Sequence, residues 1–303
     1  MTETINNLLD FMDNSHKTQR QIAKEIGISN AVISQFLNDS YIGDNAEIEK
    51  KIKRYLAVAQ MRLELSRTDN FYPELYNTKI AQYVAYQAHL NCDITLVSGE
   101  AGTGKTTALK DYAENNTGVI FVTANACTTT ATAVLSMICE ALGEKTSPRR
   151  AVLMKRLIDI LADSNRLIII DEADHLKLEA LQAVRNLNDE AHVGVVLAGN
   201  DKIYRQMVTG RKGFEFDQIR TRIVVRKRLS NHYEIDELQH IFPLADDKGL
   251  ELLCDIAHRE SLRTAKKIYN LVLVVHTQKN EKVSFRNLKA IRDQLLGDIE
   301  YDY

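Results

Sequence analysis

The chain has 303 residues, 39 lysines and arginines against 41 acids, a formal net charge of −2, and 45% hydrophobic with 26% charged residues. That length predicts two or three domains, and the composition excludes a disordered chain. The charge balance excludes binding driven by the field of the whole molecule, so any nucleic-acid contact has to use local basic surface. The longest apolar runs, such as 271–275, are too short to span a bilayer, and the acidic opening MTETINNLLDFMDN does not read as a secretion signal. Cys92, Cys127, Cys139 and Cys254 form no CxxC pair, which predicts reduced thiols in a cytoplasmic protein rather than a zinc site or disulfides.

Residues 1–66 are helical in pattern throughout, with a long charged helix predicted over 45–65 and a polar linker over 66–70, near Pro73. Within this region, 19–37 (QRQIAKEIGISNAVISQFL) resembles a phage-repressor helix-turn-helix. Ala23 is small where two helices would cross, Gly27 suits a left-handed turn, and Ser29 can cap the second helix. Ile22, Ile26, Ile28, Ile33 and Phe36 supply the inward faces. The second helix would present Asn30, Ala31, Ser34, Gln35 and Asn38 to a major groove, with Lys17, Arg20 and Lys24 placed for phosphates. None of the groove-facing residues is Arg or Lys, the commonest readers of guanine. A module of this shape serves protein contacts as readily as DNA contacts.

Residues 67–230 alternate apolar, β-branched runs (94–98, 119–123, 167–171, 193–198 and 223–225) with helical stretches, the pattern of a parallel α/β sheet covered on both faces. Between the first run and the next helix stands Gly99-Glu100-Ala101-Gly102-Thr103-Gly104-Lys105-Thr106, followed by Thr107, a match to the G-x-x-x-x-G-K-[ST] phosphate loop in the strand–loop–helix context it requires. Glycines let the backbone N–H groups turn toward phosphates, and the helix N-terminus adds positive potential. Lys105 is then expected at the β- and γ-phosphates of ATP, and Thr106 at Mg²⁺. The run 167–171 ends in Asp171-Glu172. Carboxylates at that end of a parallel strand sit where α/β sheets bind ligands, so Asp171 is the expected Mg²⁺ partner and Glu172 the residue that polarises the attacking water. Asp171-Glu172-Ala173-Asp174 also spells a DEAD box, but too little chain remains for the second domain such helicases need, and Asp174 is read as a capping or surface polar residue. Asn200 ends the run after that, where an amide can bond both the water and the γ-phosphate. From 231 to 303 the pattern is amphipathic and helical, with Ile241, Leu244, Leu250, Leu253, Ile256 and Ala257 at helical spacing.

The set GEAGTGKT, LIIIDEADH, VVLAGN, FDQIRTRIVV and SLRTAKKI resembles AAA+ ATPases, and more narrowly their transposition protein B branch. The resemblance implies an AAA+ P-loop core with a five-stranded parallel sheet (67–230), an N-terminal helix-turn-helix module (1–66) and a C-terminal helical lid (231–303). It makes Asn200 the sensor 1 residue, Arg222 an arginine finger acting on a neighbouring subunit, with Arg220 as its rival, and Arg263 the sensor 2 contact from the lid. It further implies self-association into a helical filament or ring, binding of double-stranded DNA with little sequence preference, and a transposase partner. Small polar residues over 123–130, among them Thr128 and Thr129, and the pair Arg149 and Arg150 occupy segments that face the central channel of such assemblies. Two other readings share the core motifs: a helicase-loader ATPase, which usually lacks a repressor-like module, and an ATP-switched helix-turn-helix transcription regulator.

Overall fold

The computed structural model describes residues 2–67, 71–203, 205, 216–276 and 282–297. The apolar runs become strands β1 (Ile94–Gly99), β2 (Val119–Thr123), β3 (Leu167–Asp171), β4 (Gly194–Gly199) and β5 (Ile223–Leu229). They form one sheet in the order β2-β3-β4-β1-β5, with parallel pairing throughout. β5 runs four residues beyond its apolar part, because Arg226, Lys227 and Arg228 stay in register with Leu96, Val97 and Ser98 of β1. As an edge strand it needs no apolar residues on its outer positions, which is why the hydrophobic pattern stops short of it.

Helices α1 (Thr2–Ser15), α2 (Gln19–Ile26), α3 (Asn30–Leu37), α4 (Asn45–Arg67), α5 (Tyr76–Asn91), α6 (Lys105–Asn115), α7 (Ala131–Ala141), α8 (Arg150–Leu161), α9 (Leu178–Ala191), α10 (Asp217–Arg220), α11 (Ile235–Ile241), α12 (Asp247–Arg259), α13 (Leu262–His276) and α14 (Phe285–Leu296), with a 3-10 turn over Ala173–His175, accompany the sheet. The chain divides into two compact units, Met1–Asn70 with Asn270–Glu281 and Phe71–Tyr269 with Lys282–Tyr303.

In the larger unit the sheet separates two apolar layers, and successive residues of a strand serve opposite layers. Ile168 and Ile170 of β3 join Val134, Leu135 and Ile138 of α7, Leu153 and Leu157 of α8, and Leu181, Val184 and Leu187 of α9. Leu167 and Ile169 join Ala81, Val84, Ala85 and Ala88 of α5 and Leu109 of α6. All four β3 residues are fully buried, each worth about 1.5–3 kcal/mol of transfer energy. The central strands are thereby pinned from both sides, and the loops at their C-terminal ends are held in fixed positions. After β5, Asp246 joins helices α12 and α14: its carboxylate accepts the Gly249 N–H (2.6 Å) and the Phe285 N–H (3.2 and 3.1 Å).

In the smaller unit Leu8, Phe11, Ile22, Ala23, Ile33, Phe36, Ile48, Ile52 and Leu56 make one core from α1–α4. Thr18 and Gln21 form a reciprocal capping box at the start of α2, Gly27 ends that helix at φ 78, and Ser29 Oγ caps α3 by accepting the Val32 N–H at 3.3 Å. Asn30, Ala31, Gln35 and Asn38 are exposed and Ser34 is half-buried. Lys17, expected from sequence to be placed for phosphates, reaches both Glu25 carboxylate oxygens at 2.8 Å. The Lys17 bond, then that of the Tyr55 hydroxyl (2.7 Å), holds the Glu25 carboxyl below the usual range. The linker reading over 66–70 falls partly outside the described residues; α4 continues through Arg67. The four cysteines are free, and among the described residues no helix is long and apolar enough to cross a membrane.

Candidate nucleotide site

The loop after β1 closes on itself. Gly102 (φ +80) and Gly104 (φ +88) both take the left-handed conformation, which costs other residues about 1–2 kcal/mol. Gly102 is further constrained by a neighbour: a Cβ there would lie 2.5 Å from Ser261 Cβ and 3.7 Å from Arg263 Cβ. The start of α13 therefore abuts the phosphate loop, bringing Arg263, whose side chain is exposed, beside Gly102. Lys105 Nζ donates to Gly99 O (2.9 Å), Glu100 O (2.7 Å) and Thr103 Oγ1 (3.2 Å). Burial pushes its pKa down, against the opposing pull of Asp171, Glu172, Asp201 and Asp174. Ala101 and Thr107 are exposed, and Glu100 Oε2 accepts from the buried Asn231 at 3.1 Å.

The second strand end converges on the first. Asp171 is 2% exposed and accepts the Thr106 hydroxyl at 2.7 Å. A hydroxyl and a carboxylate are oxygen donors suited to a hard divalent cation such as Mg²⁺. Glu172 follows at φ 54 with an exposed side chain. Its carboxylate, that of Asp174 and a ring nitrogen of His175 offer atoms within 4.8 Å of one another.

Asn200 leaves β4 with an exposed side chain, and its backbone N–H donates to Asp174 Oδ1 at 3.0 Å. Asp174 is thus a half-buried tie between two strand ends, where the sequence suggests a cap or a surface polar group. The 3-10 turn Ala173–His175 is what aims it inward. Two further contacts have no motif of their own in the sequence: Asp201, held by Arg228 (Nε to Oδ2, 2.7 Å), and Asn231 on Glu100. An acid directly after Asn200 and cations on a strand edge were the available signals.

Arg222 stands apart from this group. Ile223 pairs with Ile94 at the start of β1, whereas Leu229 pairs with Gly99 at its end. At about 3.3 Å per residue, Arg222 is therefore ~20 Å from the phosphate loop along the sheet. It approaches Asp189 Oδ1 at 3.4 Å and is 58% exposed, while Arg220 pairs with Asp217 at 2.9 Å. The segment after β2 forms a turn in which Asn125 N–H donates to Thr128 Oγ1 (2.7 Å) and Lys177 N–H to Thr129 O (3.0 Å). Arg149 and Arg150 are exposed at the start of α8.

The sheet order, the loop after β1, the acids after β3 and the Asn after β4 define an α/β core of the AAA+ class, and residues 88–207 match the family described as AAA domain. Similarity extends well beyond that core. The chain is 30% identical over 297 residues to the "ATP-dependent target DNA activator B" of Escherichia phage Mu, covering 97% of this chain and 95% of that protein. The protein of the same name from Escherichia phage D108 matches to the same extent, at 30%. The "Mu-like prophage FluMu DNA transposition protein B" of Haemophilus influenzae is 35% identical over 208 residues, 68% of this chain and 72% of that protein. The chain belongs to the Mu transposition protein B family.

Proposed function

We propose that the protein is an ATP-dependent DNA-binding ATPase that assembles on target DNA and delivers it to a partner transposase, with hydrolysis controlling disassembly and target choice. The observation that carries the reading is the meeting of Thr106 Oγ1 with Asp171 Oδ2 at 2.7 Å, at the end of a loop whose Lys105 ammonium is held by the loop's own carbonyls. The names of the relatives, target DNA activator and DNA transposition protein, point the same way.

In this reading the N–H groups of residues 99–107 and the N-terminus of α6 cradle the phosphates of ATP. Lys105 exchanges loop carbonyls for phosphate oxygens. Thr106 and Asp171 would hold Mg²⁺, which supplies neutralisation of phosphate charge when bound. Glu172 polarises the attacking water, and the Asn200 amide orients water and γ-phosphate. Arg263 touches the nucleotide from a helical lid over 231–303, and Arg222, rather than Arg220, completes a neighbouring subunit's site within a filament or ring. Residues 1–66 act as a helix-turn-helix module, with Asn30, Ser34 and Gln35 as its outward face. Thr128, Thr129, Arg149 and Arg150 hold double-stranded DNA without reading sequence. The assembly acts in the cytoplasm of a bacterial or phage-infected cell.

The test is binding of unrelated fluorescent duplexes with ATP and Mg²⁺, with ADP, or with no nucleotide. Tight, sequence-indifferent binding with ATP alone is expected. Equal affinity in all three states removes ATP control, and a footprint on one sequence favours the transcription-regulator reading.

A further inference from the structure

β3 and β4 pair only as far as Ile170 and Leu197. Beyond that point their ends part: Asp171 continues in register with Thr123 of β2, and Ala198 and Gly199 with Val97 and Ser98 of β1. Glu172 and Asn200, which have to act on the same water, stand on opposite sides of this gap. The Asn200 N–H to Asp174 Oδ1 bond, 3.0 Å, crosses it. Gly199 makes room for the crossing: a Cβ there would lie 2.6 Å from Asp174 Oδ1, 3.1 Å from Asp174 N and 3.3 Å from Ala173 N. On the far side, Arg228 holds Asp201, the residue after Asn200, at 2.7 Å. The Asn200 N–H and C=O are thus both engaged, the latter by the Ile203 N–H at 3.0 Å, while its exposed side chain has, among the described residues, only a long contact, Lys202 N–H to Oδ1 at 3.4 Å.

We propose that Asp174 is a positioning residue for hydrolysis: through the Asn200 N–H it sets the separation between the Asn200 amide and the Glu172 carboxylate. The assignment rests on the reading of the chain as an ATPase. A backbone N–H held by a carboxylate is a strong, short-range restraint, and a catalytic amide displaced by about 1 Å loses up to two orders of magnitude in rate. Asp174 touches neither nucleotide nor water in this scheme, so its removal leaves ground-state ATP binding intact and lowers turnover.

Asp174 also carries negative charge near Lys105, and the test has to separate charge from position. Asp174→Asn keeps an oxygen acceptor at the same place without the charge; Asp174→Glu keeps the charge but moves the oxygens by one methylene. With ATP, Mg²⁺ and duplex DNA, Asn is expected to hold kcat within about 3-fold of wild type, while Glu loses about 10- to 10²-fold, both at unchanged KM. Gly199→Ala, which pushes the same two groups apart from the other side, should behave like Asp174→Glu. Wild-type rates in both Asp174 variants, or a larger loss in Asn than in Glu, overturn the positioning role. A wild-type chain without ATP turnover, or full turnover in Lys105→Ala, sinks the ATPase reading itself and is told apart by that control.

Discussion

Replacing Gly102 by Ala tests whether the phosphate loop and the start of α13 are as closely packed in solution as in the structure. Two penalties add. Gly102 has φ +80, which costs a residue with a Cβ about 1–2 kcal/mol. The new methyl would also stand 2.5 Å from Ser261 Cβ and 3.0 Å from Ser261 Oγ, an overpacking worth about 1–3 kcal/mol. Gly104 supplies the control: it has φ +88 but nothing within 4 Å of its Cβ position, so Gly104→Ala suffers the backbone penalty alone. Urea unfolding should therefore place Gly102→Ala about 1–3 kcal/mol below Gly104→Ala. Adding Ser261→Gly should recover most of that difference. The cap in which Ser261 Oγ accepts the Thr264 N–H (3.1 Å) is lost with it, but glycine at a helix start costs only a few tenths of a kcal/mol. Equal losses in the two alanine variants, or no recovery in the double variant, would refute the close approach and with it the placement of Arg263 beside the loop.

Lys105→Ala is expected to weaken ATP binding by about 10²-fold or more, because charge-assisted bonds worth about 1.5–3 kcal/mol each are lost; calorimetry showing normal affinity contradicts the phosphate-loop role. Glu172→Gln should retain ATP binding and lose about 10²–10⁴-fold in turnover, so a wild-type rate of phosphate release removes it as the catalytic carboxylate. Arg222→Ala should cost about 10³–10⁵ in kcat, and mixing it with Glu172→Gln should restore activity from mixed sites. Co-assembly without recovery argues against action in trans. Burial lowers the Lys105 pKa from its ordinary 10.5, so ATP affinity should decline with rising pH earlier than for a solvent lysine. In that same window the unfolded chain holds the extra proton, so this group's contribution to stability rises with pH, and parallel declines would contradict the assignment. Substituting Arg149 and Arg150 together should weaken binding to all duplexes alike and flatten the salt dependence by a slope of about one per lost contact. Alanine at Asn30, Ser34 and Gln35 should matter less, and the reverse order makes the N-terminal module the main DNA contact.

Much of the larger unit was legible because its signals are local. A glycine-rich loop between a strand and a helix, and an apolar strand ending in two acids, specify backbone geometry within a few residues, and β1 to β4 begin and end within a residue of the sequence reading. Legibility failed where a residue's partner is remote in the chain. Asp174 looks like a surface acid until β4 is placed beside β3 and Asn200 arrives at its carboxylate. Gly102 is legible as a loop glycine, but the reason it tolerates no methyl is Ser261, more than 150 positions away.

The polarity of the sheet limits what one copy of the chain can do. Parallel strands deliver Lys105, Asp171, Glu172 and Asn200 to a single edge, because each follows a strand's C-terminal end. Arg220 and Arg222 enter β5 from the opposite edge, ~20 Å away by the strand rise, several times the reach of an arginine side chain. An arginine there can complete a phosphate site only in another copy. Donor edge and acceptor edge are different surfaces of the same chain, so the proposed contact would be head-to-tail and would repeat, closing into a ring or opening into a filament according to the rotation per step. The local cost of recruiting Arg222 is small: its contact with Asp189 is long, 3.4 Å, the arginine is 58% exposed, and Asp189 keeps Arg185 at 3.6 Å, so the pair is worth about 1 kcal/mol or less after solvent screening. If Arg222 acts in trans as proposed, releasing it from Asp189 would cost the fold little.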